Sequence, residues 1–166
     1  MRPWTVGGAI IEDSRGHVLL VENLRRNGTT DWTPPGGVIE VAEGEVLWDG
    51  LSREVHEETG LTVTEWEGPL WRVRTEAPGL GWVMTVEVHR ATVVSGQLTV
   101  GEDPDGIVIG AEYLHHDEVV DRCIGGHAWV HDPLVGWLSE RWTAPRNFAY
   151  HVAGERPGAT VVTRLS

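Results

Sequence analysis

Apolar positions along this chain recur with two different periods, and the change of period separates strands from helices. Near the start, apolar runs at residues 6–11 and 17–21 flank the polar, glycine-containing residues 12–16, which is the pattern of a β-hairpin. Residues 23–30 are polar, include a glycine and read as a loop. Long stretches of alternation at 66–75 and 82–94 predict strands with one buried face, joined through residues 76–81 with Pro78, Gly79 and Gly81. Residues 107–109 and 112–114 are also strand-like. In between, the period becomes helical. At about 100° per residue, Trp48, Leu51 and Val55 form one arc of a helix, and Glu54, Glu57 and Glu58 form the arc beside it. Gly60 supplies a stop for that helix, because a residue without Cβ takes the left-handed conformation easily. His115 and His116 precede Asp117 and Glu118, a helix cap. Asp132 followed by Pro133, with Leu134, Trp137 and Leu138 on one face, predicts a short amphipathic helix over 132–141. Residues 148–152 and 160–165 around the turn-like 154–158 predict a terminal hairpin. Periodicity alone therefore gives a mixed α/β domain.

Composition narrows what such a domain does. The chain has 166 residues, 40% hydrophobic, which is enough for one core and makes a single domain over 1–166 the expectation. Its net charge of −12 argues against a nucleic-acid polymer or an anionic membrane as partner. All 13 basic residues are arginines, so neither a lysine nucleophile nor a P-loop lysine is available. The single cysteine, Cys123, allows no internal disulfide and lacks the neighbours of an activated thiolate. The amino terminus lacks the long apolar core of a signal peptide, and the expected location is cytoplasmic.

The glutamate arc changes the picture most. Like charges three and four residues apart destabilise a helix by roughly 0.2–0.5 kcal/mol per pair, so helix stability does not account for Glu54, Glu57 and Glu58. A bound hard cation does: all-oxygen ligands at this density suit magnesium or manganese, which bridge carboxylates to substrate phosphates. Arg53 stands one turn before Glu57 and can hold it through a side-chain pair. The alternative is a solvated acidic face.

The run from Arg53 to Leu61, R-E-V-H-E-E-T-G-L, resembles the end of a Nudix box, and Glu45 stands at that family's interval before Arg53. The beginning departs from the pattern. Seven residues separate Gly37 from Glu45, two more than usual, and the insertion falls around residues 41–43. The resemblance implies a Nudix α/β/α sandwich, with the box helix on one side of a mixed sheet and a further helix on the other. It implies hydrolysis of a nucleoside diphosphate linked to another moiety, such as a nucleoside triphosphate or ADP-ribose, using Mg2+ or Mn2+. Metal would be held by Glu54, Glu57 and Glu58 and by a backbone carbonyl near Gly36. Arg53 would orient the carboxylates. The proton of the attacking water would go to Glu54 or to an acid in the loop 102–105, with Glu102 preferred over Asp103 and Asp105.

Arg25 and Arg26 are candidates for substrate phosphates, since the guanidinium fork matches phosphate geometry. Trp32 would wall the site, stack on a base or pack in the core. Pro78 stands roughly where some ADP-ribose-cleaving relatives carry a proline, which tips the expectation slightly toward that substrate. A small nucleotide is the expected partner, and a homodimer is left open by the resemblance. Residues 123–166 would form a helix and hairpin extension of the same domain. Two competing readings share the fold: a non-catalytic nucleotide-sensing module that regulates a partner, and an isoprenoid diphosphate isomerase, which asks for an early cysteine this chain lacks.

Overall fold

The computed structural model describes residues 1–166. Nine strands and three α-helices follow in the order β1 (Arg2–Ile10), β2 (Val18–Leu24), β3 (Thr30–Thr33), β4 (Gly36–Val38), α1 (Leu47–Thr59), β5 (Thr62–Ala77), β6 (Trp82–Ser95), β7 (Val108–Leu114), α2 (His116–Cys123), α3 (Ala128–Glu140), β8 (Arg146–Ala153) and β9 (Val161–Arg164). A six-stranded sheet runs β4-β1-β6-β5-β8-β9, and a three-stranded one runs β3-β2-β7. The larger sheet is mixed: β1 pairs parallel with β6 and β5 parallel with β8, whereas its other pairs are antiparallel.

Alternation along β1 sends its residues to two cores. Ala9 and Ile11 join Leu51 and Val55 of α1 in a cluster of eight buried residues. Ile10 faces the opposite way, into a cluster of 16 that holds Val119 of α2, Leu134 and Trp137 of α3, and Trp71, Trp142 and Tyr150. The expected sandwich, with the box helix on one face and further helices on the other, is the observed one.

Several local readings change in three dimensions. The turn at 12–16 forms, with Asp13 Oδ1 accepting from the N–H groups of Arg15 and His17 at 2.9 Å each. The two runs it joins nevertheless part company: β1 enters the larger sheet and β2 the smaller, and no simple hairpin results. Parallel pairing with all nine residues of β1 is available from β6, so β1 starts at Arg2 rather than at Val6. The loop expected at 23–30 shrinks to a turn between β2 and β3. The last helix begins at Ala128, which places Pro133 inside it and removes Asp132 from its cap. Packing of Ala128 and Trp129 against the larger core recruits the extra residues, and Asp132 instead accepts from Tyr150 Oη at 3.0 Å. His115 is itself the cap of α2: its Nδ1 accepts from Asp117 N at 3.3 Å while Glu118 Oε1 accepts from His115 N at 3.1 Å. The terminal hairpin forms as expected, β8 adding to the open edge of β5 and β9 to β8. No helix is long and apolar enough to cross a membrane.

Candidate active site

The two sheets and the start of α3 enclose a cleft of about 1260 Å³, and α1 runs along one side of it. Helix α1 is fixed by its apolar arc, with Leu51 and Val55 fully buried. It ends where Gly60 adopts φ 74° and donates its N–H to His56 O at 2.9 Å. The inserted residues before it coil into a 3-10 turn, Val41–Glu43, closed by Gly44 in the left-handed region. The insertion is thereby absorbed without disturbing the helix: Glu45 Oε1 accepts from Glu40 N at 2.9 Å and still reaches Arg53.

Arg53 is the centre of an ion-pair network. Its Nε and Nη2 donate to Glu45 at 2.9 and 3.1 Å, and Nη1 donates to Glu54 Oε1 at 3.1 Å and Glu57 Oε2 at 3.3 Å. The Nη2 group also lies 3.4 Å from Val38 O, tying the helix to β4. This guanidinium holds Glu45 below the ordinary carboxylate range. In return Glu45, more than any other group, raises the proton affinity of Arg53.

Glu58 is different in kind. It is 8% exposed, and its only protein hydrogen bond is from Gly36 N to Oε2 at 3.1 Å. Burial, together with the charges of Glu54, Asp103 and Glu57, pushes its pKa up to about 8 in spite of that bond. Glu54 is also raised, by burial first, with Glu57 and Asp105 adding to the effect and Arg53 opposing it. A side chain at Gly37 would leave no room for this arrangement, since a Cβ there lies 2.5 Å from the Glu54 carboxylate. Gly36 is as constrained, with Gly7 O in the place a Cβ would take.

No three of these side chains converge in a ready-made cation cluster; Arg53 Nη1 engages one oxygen of Glu54 and one of Glu57. The donor set nevertheless fits magnesium or manganese. It is entirely oxygen, it is electrostatically uncompensated at Glu58, and it faces an open cleft.

The other expected site residues divide sharply. Arg25 and Trp32 line the cleft and Arg26 does not. Arg25 is bound to Asp31 by a fork, Nε to Oδ2 at 2.7 Å and Nη2 to Oδ1 at 2.8 Å, so it is not an uncommitted phosphate ligand. Trp32 serves cleft and core at once: it packs against the larger cluster, and the Arg122 guanidinium sits 4.5 Å from its ring centroid. Glu102 is exposed and lies outside the cleft. The acids that its loop sends toward α1 are Asp103 and Asp105. Asp103 accepts from the N–H groups of Asp105, Ile107 and Val108 at 3.1 Å each, a turn that leaves Asp105 as the acid without such bonds. Pro78 starts a 3-10 turn between β5 and β6 and does not line the cleft. Cys123 lines it, but burial raises its thiol to about 11, so it stays protonated. The sequence reading missed Trp82, Trp129 and His127 at the far end, where the His127 and Trp129 rings stack at 4.1 Å. Nothing in their spacing marks them, because the start of β6 and the start of α3 lie far apart in sequence and meet only in the fold.

Fold and site together define a mixed α/β module that gathers carboxylates along one open cleft. A family model described as NUDIX domain matches residues 1–138, and the chain belongs to that family. Nudix hydrolase 6 of Arabidopsis thaliana is 40% identical over 58 residues, 34% of this chain and 20% of that relative. The matched stretch thus spans about a fifth of the curated relative's length. Among solved structures, the ORF135 protein of E. coli superimposes with a TM-score of 0.68 at 19% identity, covering 87% of this chain and 96% of that one. The MutT protein of Methanosarcina mazei gives 0.67 at 20% identity, covering 86% and 97%. An ADP-ribose pyrophosphatase from Streptococcus suis gives 0.55 at 18%, covering 87% and 98%. At these identities the likeness is one of fold.

Proposed function

We propose that this protein hydrolyses a phosphoanhydride bond in a nucleoside diphosphate linked to another group, with Mg2+ or Mn2+ held by Glu54, Glu57 and Glu58 and the carbonyl of Gly36. The observation that carries this reading is Glu58, a buried carboxylate at the cleft wall with one backbone donor and three acidic neighbours. Such a group is costly unless a cation joins it. The bound cation supplies Lewis acidity to the diphosphate and to the attacking water. Arg53 keeps Glu54 and Glu57 on the cleft side of α1. Glu54 takes the water's proton, helped by the burial that raises its proton affinity. Asp105, near enough to raise Glu54 further, is the second acceptor in place of Glu102. Products are a nucleoside monophosphate and the phosphorylated remainder, or pyrophosphate from a triphosphate. Residues 123–166 belong to the same working unit, since α2 and α3 roof the cleft and β8 extends the sheet beneath it.

The test is product release from nucleoside triphosphates, ADP-ribose, nucleotide sugars and dinucleoside polyphosphates with Mg2+ or Mn2+, for the wild type and Glu57→Gln. Metal-dependent turnover that collapses in the variant is expected. No turnover with any substrate, beside nucleotide binding indifferent to Glu57→Gln, sinks the hydrolase and leaves a nucleotide-sensing module.

A further inference from the structure

The lining of the cleft is unbalanced in charge. Seven carboxylates face it against two arginines, Arg25 and Arg53, and the chain has no lysine to add. Both arginines are already committed. Arg53 is shared among Glu45, Glu54 and Glu57. Arg25 is forked onto Asp31, and Asp31 Oδ1 also accepts from Asn23 Nδ2 at 3.1 Å, so the carboxylate that holds Arg25 is itself anchored. Asn23 is 5% exposed, and its amide donates a second bond to Thr33 Oγ1 at 2.9 Å. Two histidines also line it: desolvation lowers the proton affinity of His127, and His131 is already engaged by Asp132, with Nδ1 to Oδ1 3.2 Å.

We propose that this cleft selects a diphosphate esterified at both ends, as in a nucleotide sugar, over a nucleoside triphosphate, because the Arg25–Asp31 lock leaves no cation for a terminal phosphate. The inference rests on the hydrolase reading above and adds the substrate class to it. An internal phosphate carries one negative charge and a terminal one close to two at neutral pH. A triphosphate therefore brings roughly two more charges than a doubly esterified diphosphate. Those charges enter a cleft whose walls carry the same sign and whose low-dielectric sides concentrate the field. Divalent cations offset part of the charge for either substrate, and the difference between them remains.

The experiment compares kcat/KM for ADP-ribose and ATP, which share a nucleoside, at saturating Mg2+. It includes the wild type, Asp31→Asn, Arg25→Gln and the double variant. The wild type is expected to favour ADP-ribose by at least about tenfold, the equivalent of 1.4 kcal/mol. Freeing Arg25 by Asp31→Asn lowers that ratio several-fold. Leaving Asp31 uncompensated by Arg25→Gln raises it, and the double variant returns it toward the wild-type value. Tryptophan fluorescence titrations with ADP-ribose and ATP in EDTA read the same preference without turnover, and they decide the matter with the wild type alone if the variants do not fold. A wild type that prefers ATP, or a ratio unmoved by Asp31→Asn in a folded variant, overturns the inference. Absence of hydrolysis with these two and with the nucleotide sugars and dinucleoside polyphosphates of the panel, beside a fluorescence preference for ADP-ribose, sinks the hydrolase reading and leaves the selectivity standing.

Discussion

On one side of the central sheet, α1 lies over eight buried residues, all of them aliphatic. On the other, α2 and α3 lie over 16, among them Trp71, Trp137, Trp142, Phe148 and Tyr150. The charged machinery is on the side with the smaller core. Three carboxylates and an arginine there occupy the helix face that could otherwise have packed, and one of the carboxylates is buried against its own electrostatic interest. The aromatic side has a different character: there Trp142 Nε1 donates to Leu70 O at 2.8 Å and Tyr150 Oη to Asp132 Oδ2 at 3.0 Å. The contrast teaches a division of labour. Large aromatic burial holds the sheet so that α1 can carry groups that work against stability.

The contrast is broken most directly from the aromatic side. Trp71, 2% exposed and flanked by Trp137 and Trp142 with centroids 6.2 and 6.1 Å away, is expected to cost about 3–5 kcal/mol when changed to Ala. Urea denaturation measures this, and a loss under about 1 kcal/mol would show that the aromatic cluster is not the anchor. Glu57→Gln should do the reverse, lowering kcat by on the order of 10²-fold or more. Its effect on stability, read in the same urea titration, should stay within about 1 kcal/mol, because the Arg53 contact it weakens is partly exposed.

Glu58 sharpens the comparison through pH. Its folded pKa of about 8 lies above the ordinary 4.5, so the folded state binds the proton more tightly. The stabilisation is fully present below about pH 4.5 and is lost as pH rises through about 8. In EDTA, Tm should therefore fall across that window, and Glu58→Gln should flatten the fall. Added Mg2+ should raise Tm most at the alkaline end, where the carboxylate is free to bind it. A Tm that rises across the window in EDTA would contradict the assignment. The smallest effect is expected at Arg26, exposed and outside the cleft: Arg26→Ala should change stability by no more than about 0.5 kcal/mol and leave KM unaltered.

Legibility followed the range of the interactions. The helix from Leu47 to Thr59, its stop at Gly60 and the Arg53–Glu57 pair all depend on residues within a turn or two of one another, and each was readable. The two-residue insertion was readable too, as a loop that spares the helix register. The partner of Arg25 was not, although Asp31 is only six residues away, because the fork requires the β2–β3 ladder to set Asn23 opposite Asp31. Local pattern favoured Glu102 over Asp103 and Asp105, whereas the fold sets Asp103 and Asp105 in the cleft lining and leaves Glu102 outside it, with Asp103 tying the loop to Val108 N. The start of α3 was misplaced for a related reason: Asp132 and Pro133 form a good local cap, and the burial of Trp129 against a distant core outweighs it.

What the residues specify unaided is a helix with an oxygen-rich face buttressed by an arginine, in a chain without lysine. The physical reason is that helical periodicity converts spacing directly into a shared face. Which charges stay free is set by the folded chain, because a guanidinium or carboxylate is defined by the partner it meets, and those partners arrive from other strands and loops. The fold also sets Trp82, Trp129 and His127 at one end of the cleft, a juxtaposition that no run of residues encodes.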